Sequence, residues 1–338
     1  KNMEQIFNKC KNLEYINFGN IGGIIKSQYN SFRENFLRAQ NNTGSTETVS
    51  PAKLNKKMAS LPQNIKDSLN ATEPSTQEAR FTDAQKMEII SAYEKAPELV
   101  SEMLNTTIDF GFGPIYIYDS TAIREYSRIY EQNPEFVDKY KGQLPADELP
   151  KIYEEYLKNP ETVEYILGQT QSTQSGTAMR FTSVASVEKL SKALSENNTF
   201  TKRLLSQTVT DGNGVNKPRF SADDIAKIVE YRGKCKSPSM LSGMVEETVN
   251  LPDGTKTYKY KTADEIINQC ELLSNPAIQK SFGLSTISTD QISSRFSTQK
   301  VNMILEALSK NPDTTAGILR DIIEKNPGDY NLDKQIEE

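Results

Sequence analysis

The chain is 338 residues long, 36% hydrophobic and 25% charged, with a formal net charge of −5. That balance exerts no strong global pull toward nucleic acid, and no apolar run of ~18 or more residues predicts a membrane span. Histidine is absent and the three cysteines, Cys10, Cys235 and Cys270, lie far apart. The usual general base, a zinc site and a disulfide framework are therefore not expected, nor is any cofactor.

Residues 1–49 stand outside the pattern that follows. Asn12–Asn20 (NLEYINFGN) faintly resembles one leucine-rich repeat, with Leu13, Ile16 and Phe18 near the expected places, so the segment reads as a remnant of such a region or as a helical N-terminal cap. The cap is the favoured reading. Asn41–Ser50 (NNTGSTETVS) is a polar linker. Lys1 suggests a processed or trimmed chain, and the compartment stays open between cytoplasm and a secreted effector.

Residues 50–325 repeat. Pro62, Pro97, Pro134, Pro160, Pro238, Pro276 and Pro312 recur, with Asn198 in the vacant place, at separations of 35, 37, 26, 38, 40, 38 and 36. An aromatic precedes the break by 16 residues at Phe81, Tyr118, Tyr260 and Phe296, by 17 at Phe181 and by 18 at Phe220. Self-similarity at this period predicts stacked units, each burying its apolar face on its neighbours. The expected fold is mainly α: an α-solenoid of about seven or eight helix-turn-helix units with short hairpins or loops between them. Residues 326–338 form a C-terminal tail.

Within a unit the order is connection, Arg/Lys–Phe/Tyr, cap, first helix, Asn-Pro break, second helix. Thr82…Gln85 and Thr262…Glu265 have capping-box spacing, and Ser221 is a good N-cap. Apolar stripes are read at Met87, Ile90 and Tyr93, at Ile225, Ile228 and Val229, and at Ile266, Ile267 and Leu273 in first helices. Second helices carry Leu99, Val100 and Met103, then Val163, Ile166 and Leu167, then Leu241, Met244 and Val245, then Ile318, Ile322 and Ile323. The connections 105–118, 206–217 and 247–260 alternate and contain Gly-bearing turns, so they predict β-hairpins. Gly168–Met179 is undecided, and the 26-residue spacing before Pro160 leaves no room for a hairpin.

This order of hairpin, helix, turn and helix resembles an ankyrin repeat, and Asp211-Gly212-Asn213-Gly214 followed by Pro218 and Ala226 is similar to part of the ankyrin string. The Thr-Pro-Leu-His signature is missing from every copy, and the period is near 37 rather than about 33. The resemblance implies a binding scaffold and carries over no specific residues.

Local motifs add no chemistry. Asp109-Phe110-Gly111 lacks every other kinase element, Asp211–Ala222 ends in Ala where a calcium loop needs Glu, and Ser186-x-x-Lys189 stands alone. Arg80, Arg180, Arg219, Lys259 and Arg295 each precede the repeat aromatic, and only Ile117 departs. Stacking would align them as a ladder. They are the candidate binding residues, for an acidic ligand; the favoured reading is that they brace the stack through acids or through their aliphatic stems. The expected function is a non-enzymatic, monomeric scaffold for a protein or peptide. A nucleic-acid-binding repeat protein is the rival, disfavoured by the acidic balance. An enzyme built on carboxylate, Ser, Tyr or Lys groups is the third reading.

Overall fold

In the computed structural model, which describes residues 49–72, 78–109, 114–173, 176–210, 214–251, 254–283, 295–327, 329 and 331–336, the chain is mainly helical with short antiparallel strand pairs. In chain order the elements are α1 (Pro51–Ala59), α2 (Gln63–Leu69), α3 (Asp83–Lys95), α4 (Pro97–Asn105), β1 (Thr107–Asp109), β2 (Pro114–Tyr116), α5 (Ser120–Gln132), α6 (Pro134–Tyr140), α7 (Leu149–Lys158) and α8 (Pro160–Leu167). Then come β3 (Thr170–Thr173), β4 (Gly176–Met179), α9 (Val184–Glu196), α10 (Asn198–Ser206), β5 (Thr208–Thr210), β6 (Asn216–Pro218), α11 (Ala222–Lys234) and α12 (Pro238–Glu246). The last are β7 (Thr248–Asn250), β8 (Lys256–Tyr258), α13 (Ala263–Leu273), α14 (Pro276–Ser281), α15 (Thr298–Lys310) and α16 (Pro312–Lys325). The readings placed on residues 1–48, on Phe110 and Gly111, and on Asp211, Gly212 and Asn213 lie outside the described residues.

Helix boundaries follow from capping chemistry. Thr82, Ser221 and Thr262 close reciprocal capping boxes with Gln85, Asp224 and Glu265, satisfying two orphan amides at each start. The Asn-Pro break has a physical cause. Asn133, Asn159, Asn197 and Asn275 each accept a backbone N–H of the following helix, from Phe136, Thr162, Phe200 and Ala277. The next residue, proline in three of these cases, sits where its missing N–H costs nothing.

Four hairpins stand between helix pairs: β1–β2, β3–β4, β5–β6 and β7–β8, each antiparallel. Gly214 and Gly254 adopt φ of 78° and 83° at two of the turns, a region where a side chain would be strained. The undecided connection 168–179 forms a hairpin with four residues per strand. Residues 141–148 contain none, as the short spacing predicts.

The chain groups into two compact units, Lys1–Val187 and Glu188–Glu338. In the first, α3 packs between α1 and α5, α5 meets α7, and α4 meets α2. Where the hairpin is missing, Phe136 gathers Tyr140, Tyr153 and Tyr156 at ring-centroid distances of 4.8, 5.0 and 4.8 Å. In the second unit, α13 packs between α11 and α15, and α14 meets α16.

All six repeat aromatics, Phe81, Tyr118, Phe181, Phe220, Tyr260 and Phe296, are buried. Most of the expected apolar faces are buried too, with two exceptions. On α3 the buried positions are Ile89, Ile90 and Ala92, while Met87 and Tyr93 are half-buried. On α16 the core face is Ala316, Leu319 and Ile323. Ile318 is 56% exposed, because its neighbour Leu319 takes the inward position that Ile318 was expected to hold.

Several side-chain contacts join residues 33–39 positions apart. In the first unit Lys57 pairs with Glu94 (37 residues on), Lys95 with Glu131 (36), Arg124 with Glu88 (36) and Lys141 with Glu102 (39). In the second, Lys189 pairs with Asp223 (34), Lys227 with Asp264 (37) and Lys280 with Asp313 (33). These pairs are mostly exposed, so each contributes only about 0–1 kcal/mol. Their separations lie close to most of the spacings of the Pro and Asn breaks.

Candidate functional site

The cations before the repeat aromatics occupy one local environment. Arg80, Arg180, Arg219 and Lys259 each follow the connection that leaves a second helix, and the backbone there closes that connection. The N–H groups of Ile117, Arg180, Arg219 and Lys259 donate to the carbonyls of Thr106, Gln169, Gln207 and Glu247. The acceptor lies just after the preceding second helix in each case. The backbone therefore holds these copies at the same place, including the copy with Ile117 and no cation.

Arg219 shows the side-chain geometry most fully. It is buried, and its Nη1 donates to Gln207 Oε1 at 2.7 Å and to the Val245 carbonyl at 2.5 Å, while Nη2 donates to the Tyr260 carbonyl at 2.5 Å. The guanidinium lies 4.5 Å from the Phe220 ring centroid and 3.8 Å from that of Tyr258. Val245 is in the last turn of α12, where carbonyls have no intrahelical partner. One planar fork thus satisfies a helix C-terminus, the start of the next copy and the end of the preceding one. Burial pulls its pKa down to about 10, still well above neutrality, so the charge persists.

Arg80 repeats this arrangement in the other unit. It donates to the Leu104 carbonyl, in the last turn of α4, at 2.6 Å and to the Tyr118 carbonyl at 2.9 Å. Its guanidinium lies 4.6 Å from Phe81 and 3.6 Å from Tyr116. Arg295 donates to Asn326 and Pro327 carbonyls at 3.2 and 3.4 Å, just past α16. Arg180 lies 4.7 Å over Phe181, and burial lowers it to about 10 as well. Lys259 differs in chemistry. A point charge replaces the fork, and Glu247 replaces Gln207 as the side chain 12 residues earlier, at 2.7 Å.

Bracing through acids or through the aliphatic stems was the favoured expectation for these cations. Lys259 meets a carboxylate; Arg80, Arg219 and Arg295 meet backbone carbonyls, and Arg80, Arg180 and Arg219 lie over rings. Acids could be counted in the sequence, whereas orphan carbonyls leave no mark in it. The one readable signal was the constancy of the aromatic that follows.

A shallow groove of about 290 Å³ between α9 and α11 is lined by Lys189, Lys192, Glu196, Asp223, Lys227 and Glu230. Its charges are largely paired with one another or with Asp264 and Lys234. Among the described residues no group of three or more Cys, Asp or Glu side chains is placed to hold a metal ion, and no helix is long and apolar enough to cross a membrane. The large exposed apolar side chains among the described residues are Leu157 and Ile318 on helices and Val215, Val249 and Leu251 on two successive hairpins. Comparison with protein-family models, curated proteins and solved structures found no match.

Proposed function

We propose that residues 50–325 form an α-solenoid-like array of eight two-helix units, and that the chain is a non-enzymatic scaffold which binds a protein or peptide partner along its extended surface. The observation that carries this reading is the one-period register of side-chain contacts in both compact units. Equivalent residues repeated side by side present a long row of similar faces, which suits an extended partner better than a single pocket does. The cation ladder, in this reading, holds the copies together. The partner is met instead on the hairpin edge, where Val215, Val249 and Leu251 stay exposed.

The test is affinity capture from an extract of the native host on the immobilised full chain, beside the double variant Val249→Lys, Leu251→Lys. A protein retained by the wild type and lost by the variant, with unchanged melting temperature, supports the reading. Retention of RNA or DNA alone, released by salt, favours the nucleic-acid reading and overturns this one.

A further inference from the structure

The chain beyond α16 folds back onto the opening of α15. Leu332 is fully buried, and its N–H donates to the Arg295 carbonyl at 2.8 Å. Asp333 Oδ1 accepts the Ser297 N–H at 2.8 Å, and Lys300 Nζ donates to the Ile336 carbonyl at 2.6 Å. Each of the last two contacts joins residues 36 positions apart, and Leu332 itself stands 36 after Phe296. Leu332-Asp333 thus falls in the place that Phe296-Ser297 and Tyr118-Asp119 hold in their copies, and Asp333–Gln335 add one turn of 3-10 helix. The junction is made differently from the one at Arg219. There the guanidinium bonds the Tyr260 carbonyl, whereas Arg295 turns its fork to Asn326 and Pro327 and leaves the joining to backbone and Asp333.

We propose that the opening of α15 is a docking site for a Leu-Asp helix start, and that residues 331–336 are a detachable latch which fills it in cis. The site has a deficiency that this occupant repairs. Thr82, Ser221 and Thr262 have their N–H groups bonded by Gln85, Asp224 and Glu265, three residues ahead. In α15 the residue three ahead of the cap Ser297 is Lys300, which has no acceptor to offer. The Ser297 N–H therefore needs an acceptor from outside, and the Asp333 carboxylate supplies it. Lys300, freed from that role, reaches the Ile336 carbonyl at the far end of the turn. Leucine provides the apolar anchor, since its burial removes a whole side chain from water. The latch is small, and Asn331, Lys334 and Gln335 within it are exposed, so it opens without unfolding the helices beneath. A partner that presents the same Leu-Asp opening then takes its place. The equivalence of latch and unit opening rests on the repeat array proposed above; the docking contacts stand without it.

The experiment uses the full chain carrying Leu332→Asp, which empties the site, and a fluorescent peptide of residues 328–338 read by anisotropy. The variant should bind the peptide and should not bind a peptide that itself carries Leu332→Asp. The wild type should bind at least about tenfold more weakly, because its own segment is tethered at high effective concentration. Adding Lys300→Gln to the variant places an acceptor three residues ahead of Ser297, and this should weaken peptide binding. Absence of binding to a variant that keeps its helical signal overturns the proposal, and so does equal binding by variant and wild type. Hydrogen exchange of the wild-type chain gives a readout that needs no variant. The Leu332 amide should exchange more slowly than in the free peptide and faster than the Leu308 amide within α15. Exchange as fast as in the peptide means that nothing is docked, and exchange as slow as at Leu308 means that the segment does not detach; either result overturns the latch. The hairpin edge takes no part in this binding, so capture of a partner there succeeds or fails independently.

Discussion

Replacing Arg219 with methionine tests how the copies are held together. Methionine keeps much of the apolar stem and removes the fork. The change deletes three charge-assisted hydrogen bonds, to Gln207 Oε1, Val245 O and Tyr260 O, and two ring contacts. Each lost bond to a charged donor is worth about 1.5–3 kcal/mol, and each ring contact about 0.5–2. Against that gross loss stands the desolvation cost of a buried charge, several kcal/mol, which the variant no longer bears. What remains is mainly the penalty of three acceptors left without their donor at a buried site, and we expect a net loss of about 3–5 kcal/mol. That is a large share of an ordinary stability of about 5–15 kcal/mol. Arg219→Lys keeps the charge but not the fork, and should fall between the two. The assay is urea unfolding of the full chain by circular dichroism. The control is Arg203→Ala, which breaks an exposed pair with Glu246 and should cost about 0–1 kcal/mol. An Arg219→Met loss no larger than the Arg203→Ala loss would refute the bracing argument.

Four further outcomes are expected. Leu273→Ala, at a buried position on α13, should cost about 2–5 kcal/mol in the same assay, while Ile318→Ala on the exposed side of α16 should cost about 0.5 or less. Glu247→Gln leaves the nearly buried Lys259 charge without its carboxylate and should lower the urea midpoint, and the further change Lys259→Arg should restore part of it by recreating the Gln207–Arg219 pairing. Asn159→Ala removes the acceptor for the Thr162 amide at the start of α8 and should cost about 1 kcal/mol; an unchanged midpoint would show that water replaces the cap. Above about pH 9 stability should decline, because Cys270 has a folded pKa of about 12 and the unfolded chain releases that proton first. Cys270→Ala should flatten the slope of stability against pH between about 9 and 11, by up to about 1.4 kcal/mol per pH unit, and an unaltered slope would remove Cys270 from the explanation.

Much of the helical pattern was readable because capping is local. Thr82, Ser221 and Thr262 needed only residues three positions ahead to define a helix start. The Asn-Pro break was visible as spacing, although its cause, the Asn side chain accepting the N3 amide, emerged only with coordinates. The hairpin 170–179 was not readable, since its Gln, Ser and Thr run lacks the apolar alternation that marked 206–217. Ile318 misled because three isoleucines in α16 fit more than one helical stripe, and packing selected Leu319. The central feature of the candidate site was beyond reach of the sequence: Arg219 bonds to carbonyls 26 and 41 residues away.

The most direct test of the repeat array is to excise one copy. Deleting 220–259 joins Arg219 to Tyr260, so that the third cation of the ladder feeds straight into the next aromatic and α13 inherits the place of α11. The shortened chain should still unfold in one cooperative transition, at a lower urea midpoint, with its far-UV helical signal reduced by the share of α11 and α12. Loss of any cooperative transition would contradict the array and point to a single core that cannot spare those residues.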